Sequence, residues 1–465
     1  MKKIIIIAAM IASVLPSMAQ QNFKLPKYTT FKLSNGLTVY LMEQKEVPVI
    51  SVTMTVPAAT IYDGTQAGLS QLTASSLDAG SKNFSKEQIR EQLDFAGANL
   101  YTNSNQEFTR VSAKFATATQ DKIFALLKDV VVNPLFDNAE FEKLKTRTKA
   151  SLERDRQSPQ SVMPEFWNSL MFPSHVYSIP PDGLLSTVSG IIAEDAKKFH
   201  AKYYRPNGSV IAVVGNFNSA EMKTRITKLF GDWKKGEGSL TDPAAQAVTP
   251  VSKARVLLVD KADARETTFY IGGKGITKKN EDRVAIEVVN TVFGDRFTSW
   301  LNDELRVNSG LTYGARSRFD SKKYGGTFFI SSFTASKTTF QAIDKALEVF
   351  DKLQKGIDDT TLQSARNYVI GQFPPDFETS GQLANLLNDM FVYGYSDSYI
   401  NDFEKNVKAV DKTKALEIIK NYFSKEKLQF LLIGKADEIR EGAKKYGDVS
   451  EKSIKDDSFE LKKAF

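Results

Sequence analysis

Residues 68–80 carry the sequence Gly-Leu-Ser-Gln-Leu-Thr-Ala-Ser-Ser-Leu-Asp-Ala-Gly. Its apolar residues recur at the spacing of one helical face, which predicts a short amphipathic helix between two glycines. Three leucines form that apolar side: Leu69, Leu72 and Leu77. Gln71 and Ser75 share another face of the same helix, because side chains at positions i and i+4 lie one above the other, and Ala74 lies beside them.

The positions of Gln71, Ala74 and Ser75 have the spacing of a zinc-binding helix, whereas their residue types do not suit one. Two histidines at i and i+4 with a glutamate between them would form half of a zinc protease site. Glutamine, alanine and serine cannot bind zinc as imidazole and carboxylate do. The sequence therefore predicts a helix with the residue spacing of a zinc-binding helix but without zinc ligands.

The segments on either side of this helix predict a mixture of strands and helices. Alternating apolar residues indicate two antiparallel strands before it, Thr38–Met42 and Val49–Val56. After it, Ser85 and Gln88 form a capping box for a second helix. Farther along, Phe141–Arg156 is a long charged helix.

The two halves of the chain end in the same series of signals. Tyr203 is followed by an apolar strand, then Gly215 and a helix, and Tyr422 is followed by an apolar strand, then Gly434 and a helix. The two copies are displaced by 219 residues, close to half the chain. We therefore expect an α+β protein of two homologous domains, each a mostly antiparallel sheet with helices packed on one face.

Composition places the domain boundaries and limits the function classes. Residues 1–20 have a basic start, an apolar stretch and small residues at a cleavage point, which predicts a signal peptide and export, with the periplasm as the expected compartment. Residues 234–253 are rich in Gly, Ser, Pro, Ala and Thr and predict a linker between domains at 21–233 and 254–465. The net charge of +7 is spread along the 465 residues, so no nucleic-acid partner is expected, and no membrane association is expected after signal cleavage.

These features together resemble the pitrilysin/insulinase family of metallopeptidases, which includes the mitochondrial processing peptidase and bacterial two-domain relatives. The family opens with a similar hairpin and then carries a helix of the form Gly-x-x-His-x-x-Glu-His. In the segment Gly68–Ser75, Gln71, Ala74 and Ser75 stand at the three catalytic positions. The helix Phe141–Arg156 is similar to the segment that supplies the third zinc ligand, and Glu153 is the closest remaining candidate, ahead of Glu142.

The second half resembles the family more closely. Residues 294–313 end in Arg306, then Gly310-Leu311-Thr312-Tyr313, like the family segment whose Arg and Tyr reach toward the substrate at the zinc site. The resemblance implies that Arg306 and Tyr313 bind substrate. An arginine offers paired donors to a carbonyl or carboxylate, and a tyrosine hydroxyl can stabilise an oxyanion.

The resemblance implies a non-catalytic, substrate-binding subunit of an exported heteromeric zinc peptidase that cleaves peptides or unfolded proteins. A homologous partner with His-x-x-Glu-His would carry the zinc, and this chain would hold no cofactor and be inactive alone. A peptide-binding or scaffold protein with no peptidase role is the alternative. An active homodimer is disfavoured, because the only histidines, His175 and His200, have no partner ligand at helical spacing.

Overall fold

The computed structural model describes residues 23–249 and 251–461, and this part of the chain holds two six-stranded sheets. The predicted signal peptide at 1–20 lies outside the described residues. The strands of the first sheet are β1 (Thr29–Lys32), β2 (Thr38–Glu43), β3 (Val49–Val56), β4 (Asn99–Ser104), β5 (Thr109–Ala116) and β6 (Val210–Gly215). Those of the second are β7 (Arg255–Asp260), β8 (Glu266–Lys274), β9 (Ala315–Ser321), β10 (Gly326–Ala335), β11 (Gln429–Gly434) and β12 (Asp448–Ser453).

The two sheets have the same strand order apart from one edge strand. The first runs β1-β2-β6-β3-β5-β4, and the second runs β12-β7-β11-β8-β10-β9. Strands β6 and β11 hold the same place and are displaced by 219 residues, which confirms the sequence repeat. The strand pairs β3–β5 and β8–β10 are antiparallel, whereas the pairs β2–β6 and β7–β11 are parallel.

Helices connect the strands in both halves. In the first half they are α1 (Leu69–Ser75), α2 (Lys86–Ala96), α3 (Gln120–Val132), α4 (Asn138–Asp155), α5 (Pro159–Met171), α6 (Leu185–Gly190), α7 (Ala193–Tyr203) and α8 (Ser219–Phe230). In the second they are α9 (Arg283–Asn290), α10 (Trp300–Asn302), α11 (Thr339–Gln354), α12 (Asp359–Gln372), α13 (Ser380–Tyr393), α14 (Ser398–Asn401), α15 (Phe403–Lys408), α16 (Lys412–Tyr422) and α17 (Ala436–Ala443). Two π-helical turns, Thr291–Asp295 and Asp303–Asn308, follow α9 and α10.

Local capping signals in the sequence fix several helix ends. The Ser85–Gln88 capping box opens α2, and Gly97, at a φ of 55°, ends it. The Asn218 side chain accepts hydrogen bonds from the first turn of α8. These contacts satisfy amide and carbonyl groups that a helix leaves unpaired at its ends.

Each sheet is covered on one face by helices of its own half, which form two large apolar cores. The other face is covered by a helix from the opposite half. Helix α5 buries Phe166 and Trp167 against the second sheet, beside Leu257 and Leu431. Helix α13 buries Leu387 and its neighbours against Met42, Ala212 and Val214 of the first sheet.

The segment between the two sheets is irregular. Residues 234–249 and 251–253 carry a single short 3-10 turn, Pro243–Ala245. Lys323 of the second half binds Asp242 of this segment, with 2.8 Å between Nζ and Oδ2. The boundaries of the two domains along the chain stay a prediction. In the described part of the chain, every helix is too short or too polar to span a membrane.

Candidate functional site

Helix α1 begins in a tightly built loop. Gly68 precedes it at a φ of 95°, and a Cβ at this glycine would lie 3.0 Å from the Cα of Gly183. The buried carboxylate of Asp63 accepts hydrogen bonds from the backbone amides of Gly68 (3.0 Å) and Ser70 (2.9 Å). Burial raises the pKa of Asp63 to about 7, although these hydrogen bonds oppose the rise. The start of α1 is therefore fixed by a close backbone approach and by hydrogen bonds to a buried carboxylate.

The three positions that the sequence predicts to be replaced zinc-site residues have structural contacts of their own. The backbone amide of Ser104 on edge strand β4 donates to Gln71 Oε1 at 2.8 Å, and Gln71 Nε2 donates to Ser75 Oγ at 3.3 Å. The Ala74 side chain is fully buried. Gln71 thus ties the helix to the edge strand, in the place where a zinc ligand would point.

This set of residues does not fit a zinc ion. An amide that is already hydrogen-bonded, a methyl group and a hydroxyl provide neither imidazole nor carboxylate ligands. Throughout residues 23–249 and 251–461, no group of three His, Asp or Glu side chains is placed to hold a metal. No catalytic step through a metal is therefore assigned to this chain.

The other candidate ligands lie apart from Gln71 and Ser75. Glu153 is exposed near the end of α4, and its suggested role as a remnant ligand stays a prediction. His200 Nε2 lies 2.8 Å from the carbonyl oxygen of Val131, and burial lowers the pKa of this histidine to about 4. His175 Nδ1 accepts a hydrogen bond from the amide of Tyr177 at 3.1 Å. Both histidines thus have partners in their own half of the fold.

Arg306 and Tyr313 both belong to the second half and stand seven residues apart along the chain. Arg306 belongs to the π-helical turn after α10, and its guanidinium lies 4.8 Å from the centroid of the Phe297 ring. Phe297 is itself 62% exposed. Tyr313 is 81% exposed, and its ring stacks on Phe333 of β10 with 6.4 Å between centroids. Tyr313 is thus open to solvent, whereas Arg306 is half-buried beside Phe297.

A partly buried junction between the two halves could not be predicted from the sequence. The Glu107 carboxylate accepts hydrogen bonds from the Tyr177 hydroxyl (2.6 Å), the Tyr393 hydroxyl (3.0 Å) and the Lys323 amide (2.7 Å). The partners of Glu107 lie 70 to 286 residues away along the chain, so no local pattern could have identified them.

Comparisons with known proteins agree with this geometry. A family model described as "Insulinase (Peptidase family M16)" matches residues 38–179, and one described as "Peptidase M16 inactive domain" matches residues 190–369. Together they span more than half of the chain.

Among curated proteins, the chain is 24% identical to the zinc protease PqqE of Helicobacter pylori, over 88% of this chain and 92% of that protein. It is 22% identical to the non-peptidase homolog YmxG of the same organism, over 77% of this chain and 82% of that protein. A solved structure of a peptidase M16 inactive domain from Pseudomonas fluorescens superposes with a TM-score of 0.81 at 21% identity, over 88% of this chain and 98% of the other. That likeness establishes the same fold.

The fold and the altered helix define a two-domain zinc-peptidase architecture whose own zinc-binding residues are replaced. The chain belongs to peptidase family M16, the insulinase family, as a non-catalytic member.

Proposed function

We propose that this chain is the substrate-binding subunit of a heteromeric, exported zinc peptidase that cleaves peptides or unfolded proteins. A homologous partner with an intact His-x-x-Glu-His helix would carry the zinc. This chain would present Arg306 and Tyr313 to that partner's site. The observation that carries the proposal is the combination of helix α1, which has no zinc ligands at Gln71, Ala74 and Ser75, with an exposed Tyr313 and a half-buried Arg306 on the other half.

The side chains of Arg306 and Tyr313 can form hydrogen bonds with a peptide substrate that is bound at a partner's zinc ion. A guanidinium donates two parallel hydrogen bonds to a carbonyl or carboxylate. A phenol can donate one hydrogen bond to the oxyanion that forms during peptide hydrolysis. Neither Arg306 nor Tyr313 needs to bind zinc for this role, so the substitutions in α1 leave it intact.

An extended peptide could bind along the edge of a sheet. Strand β4 pairs only with β5 among the described strands, and its amide and carbonyl groups on the other side are available beyond the single hydrogen bond from Ser104 to Gln71. Addition of a strand to such an edge is a common mode of peptide recognition.

Reconstitution with the zinc-bearing partner tests the proposal. We expect no zinc-dependent peptidase activity from the purified chain and activity when the partner is added. Arg306→Ala and Tyr313→Phe should each lower kcat/KM of the complex by about tenfold or more, since each removes a hydrogen bond to the transition state. Arg154→Ala and Tyr368→Phe, which change exposed residues elsewhere, serve as matched controls. Equal activity of the Arg306→Ala complex would refute the assigned role.

A peptide-binding or scaffold protein without any peptidase role is the second candidate. The non-peptidase homolog among the relatives favours it as much as the first. The presence of an adjacent reading frame with the intact zinc motif, and co-purification of its product, would favour the subunit. Peptide binding without a peptidase partner would favour the scaffold.

A further inference from the structure

A charged cavity of about 590 Å³ lies against edge strand β9 in the second half. That volume is within the range of ligand-binding pockets. Its charged lining consists of four basic side chains, Lys278, Arg283, Arg316 and Arg318, and two carboxylates, Glu287 and Asp295. Basic groups therefore outnumber acidic groups in the cavity.

Two of the basic side chains are already engaged. Arg283 donates to the carbonyl oxygen of Tyr399 at 2.7 Å, and its guanidinium stacks on the ring of the same residue. Lys278 lies over the ring of Tyr393, with 5.6 Å between Nζ and the centroid. In contrast, within the part of the chain that the structure describes, neither Arg316 nor Arg318 makes a hydrogen bond or an ion pair.

Arg316 and Arg318 point to the same side of the sheet, and both also act electrostatically on the Asp295 carboxylate that lines the same cavity. They stand two residues apart on β9, so their side chains share a face. In the β9–β10 pairing, Arg316 lies opposite Ser331 and Arg318 lies opposite Phe329. Phe329 in turn stacks on Tyr270, with 4.3 Å between ring centroids. The two guanidinium groups therefore lie beside the stacked rings of Tyr270 and Phe329.

We propose that Arg316 and Arg318 bind a carboxylate of the peptide that this chain receives, and this inference rests on the peptide-binding role proposed above. Paired guanidinium groups match a carboxylate through parallel hydrogen bonds. The stacked rings of Tyr270 and Phe329 provide apolar surface for the aliphatic part of the same residue. The carboxylate is either an acidic side chain or the free C-terminus of the peptide.

The position of this carboxylate along the peptide follows from the strand geometry. Tyr313 stacks on Phe333, and Phe333 follows the cavity residue Phe329 by four residues along β10. Phe333 and Phe329 point to the same face, and four residues of strand span about 13 Å. An extended peptide with one residue at Tyr313 would thus place its carboxylate about four residues away.

Peptide binding to the isolated full chain tests this inference. Three short fluorescent peptides are compared: one with a glutamate, one with a glutamine at the same position, and one with an amidated C-terminus. The affinity of each peptide is measured by fluorescence anisotropy at low ionic strength. We expect Arg316→Gln/Arg318→Gln to weaken binding of the acidic peptide by about tenfold or more. The control Lys355→Gln/Lys420→Gln removes the same charge from exposed sites in the same half and should leave binding unchanged. Thermal unfolding of both double variants checks that they are folded.

The peptide series identifies the source of the carboxylate. Loss of binding on Glu→Gln indicates a side chain, and loss on amidation indicates the C-terminus. Equal binding of all three peptides by the wild-type chain would overturn the inference, as would an equal loss in the Lys355→Gln/Lys420→Gln control.

The assay also separates this inference from the proposed function. No zinc partner is present, so carboxylate-dependent binding can be found even if the chain never joins a peptidase. Conversely, a partner could restore activity through Arg306 while the Arg316→Gln/Arg318→Gln variant binds peptide normally. In that case only the carboxylate site would be wrong.

Discussion

Glu165 lies on helix α5, the helix of the first half that covers the second sheet. We predict that this residue destabilises the fold at neutral pH. Burial raises the pKa of its carboxyl to about 7, and the nearby negative charge of Asp182 adds to the rise, whereas Arg156 opposes it. Its buried Oε2 atom has no hydrogen-bond partner among residues 23–249 and 251–461. Glu165→Gln removes the charge and keeps the shape of the side chain.

The size and the pH range of the effect follow from the two pKa values. A rise from 4.5 to about 7 corresponds to roughly 3 kcal/mol of lost stability when the carboxyl is ionised. Below pH 4.5 the folded and unfolded chains both hold the proton, so Glu165 has no effect there. Between pH 4.5 and 7 the unfolded chain releases its proton first, so stability falls as pH rises, and the loss is complete above pH 7.

Urea unfolding of wild type and Glu165→Gln at several pH values measures this difference. We expect the variant to be more stable by about 3 kcal/mol at pH 8 and equal to wild type near pH 4. Glu91→Gln, an exposed carboxylate on α2, is the matched control and should change little at any pH. A Glu165→Gln gain that stays constant with pH, or a variant that is less stable at pH 8, would refute the reasoning.

Three further substitutions probe helix α5 and the altered zinc helix. Trp167→Ala removes a buried ring that contacts Tyr270 at 5.8 Å between centroids, and should lower the free energy of unfolding by about 3–5 kcal/mol in denaturant titrations. Gln71→Ala leaves the Ser104 amide without its acceptor and should cost about 1–3 kcal/mol, with faster hydrogen exchange at Ser104; unchanged exchange there would contradict the tether. Ala74→Glu places a carboxylate at a fully buried position and should destabilise by about 3 kcal/mol or more, measured as a lower melting temperature, rather than begin to restore a zinc site.

The sequence predicted the bounds of several strands and helices, because apolar alternation and capping residues within each segment determine where these elements begin and end. Strand β3 has the predicted bounds Val49–Val56, and the predicted Ser85–Gln88 capping box opens α2. The expected helix at 68–80 is shorter, ending at Ser75, because Ser76 and the following residues form turns. Helix α9 ends at Asn290 and continues as the π-helical turn Thr291–Asp295.

Contacts between distant parts of the chain could not be predicted in this way. Hydrophobic spacing shows that α5 and α13 each bury a face, but it does not show which sheet that face covers. The same limit applies to Glu107, whose partners are remote in sequence. At the candidate site, the residue types at Gln71, Ala74 and Ser75 predicted that the zinc ligands are replaced, and the assignment of these three positions stays a prediction. The hydrogen bond from Ser104 to Gln71 required the structure.

The exchange of α5 and α13 between the halves has a consequence for dissecting the molecule. A cut within residues 234–253 would not release two independent bodies, because each fragment would still cover the exposed face of the other's sheet. Either fragment made alone would leave a large apolar surface open to water and would tend to aggregate. Produced together, the two fragments should instead reassemble into the native fold, as a split protein does.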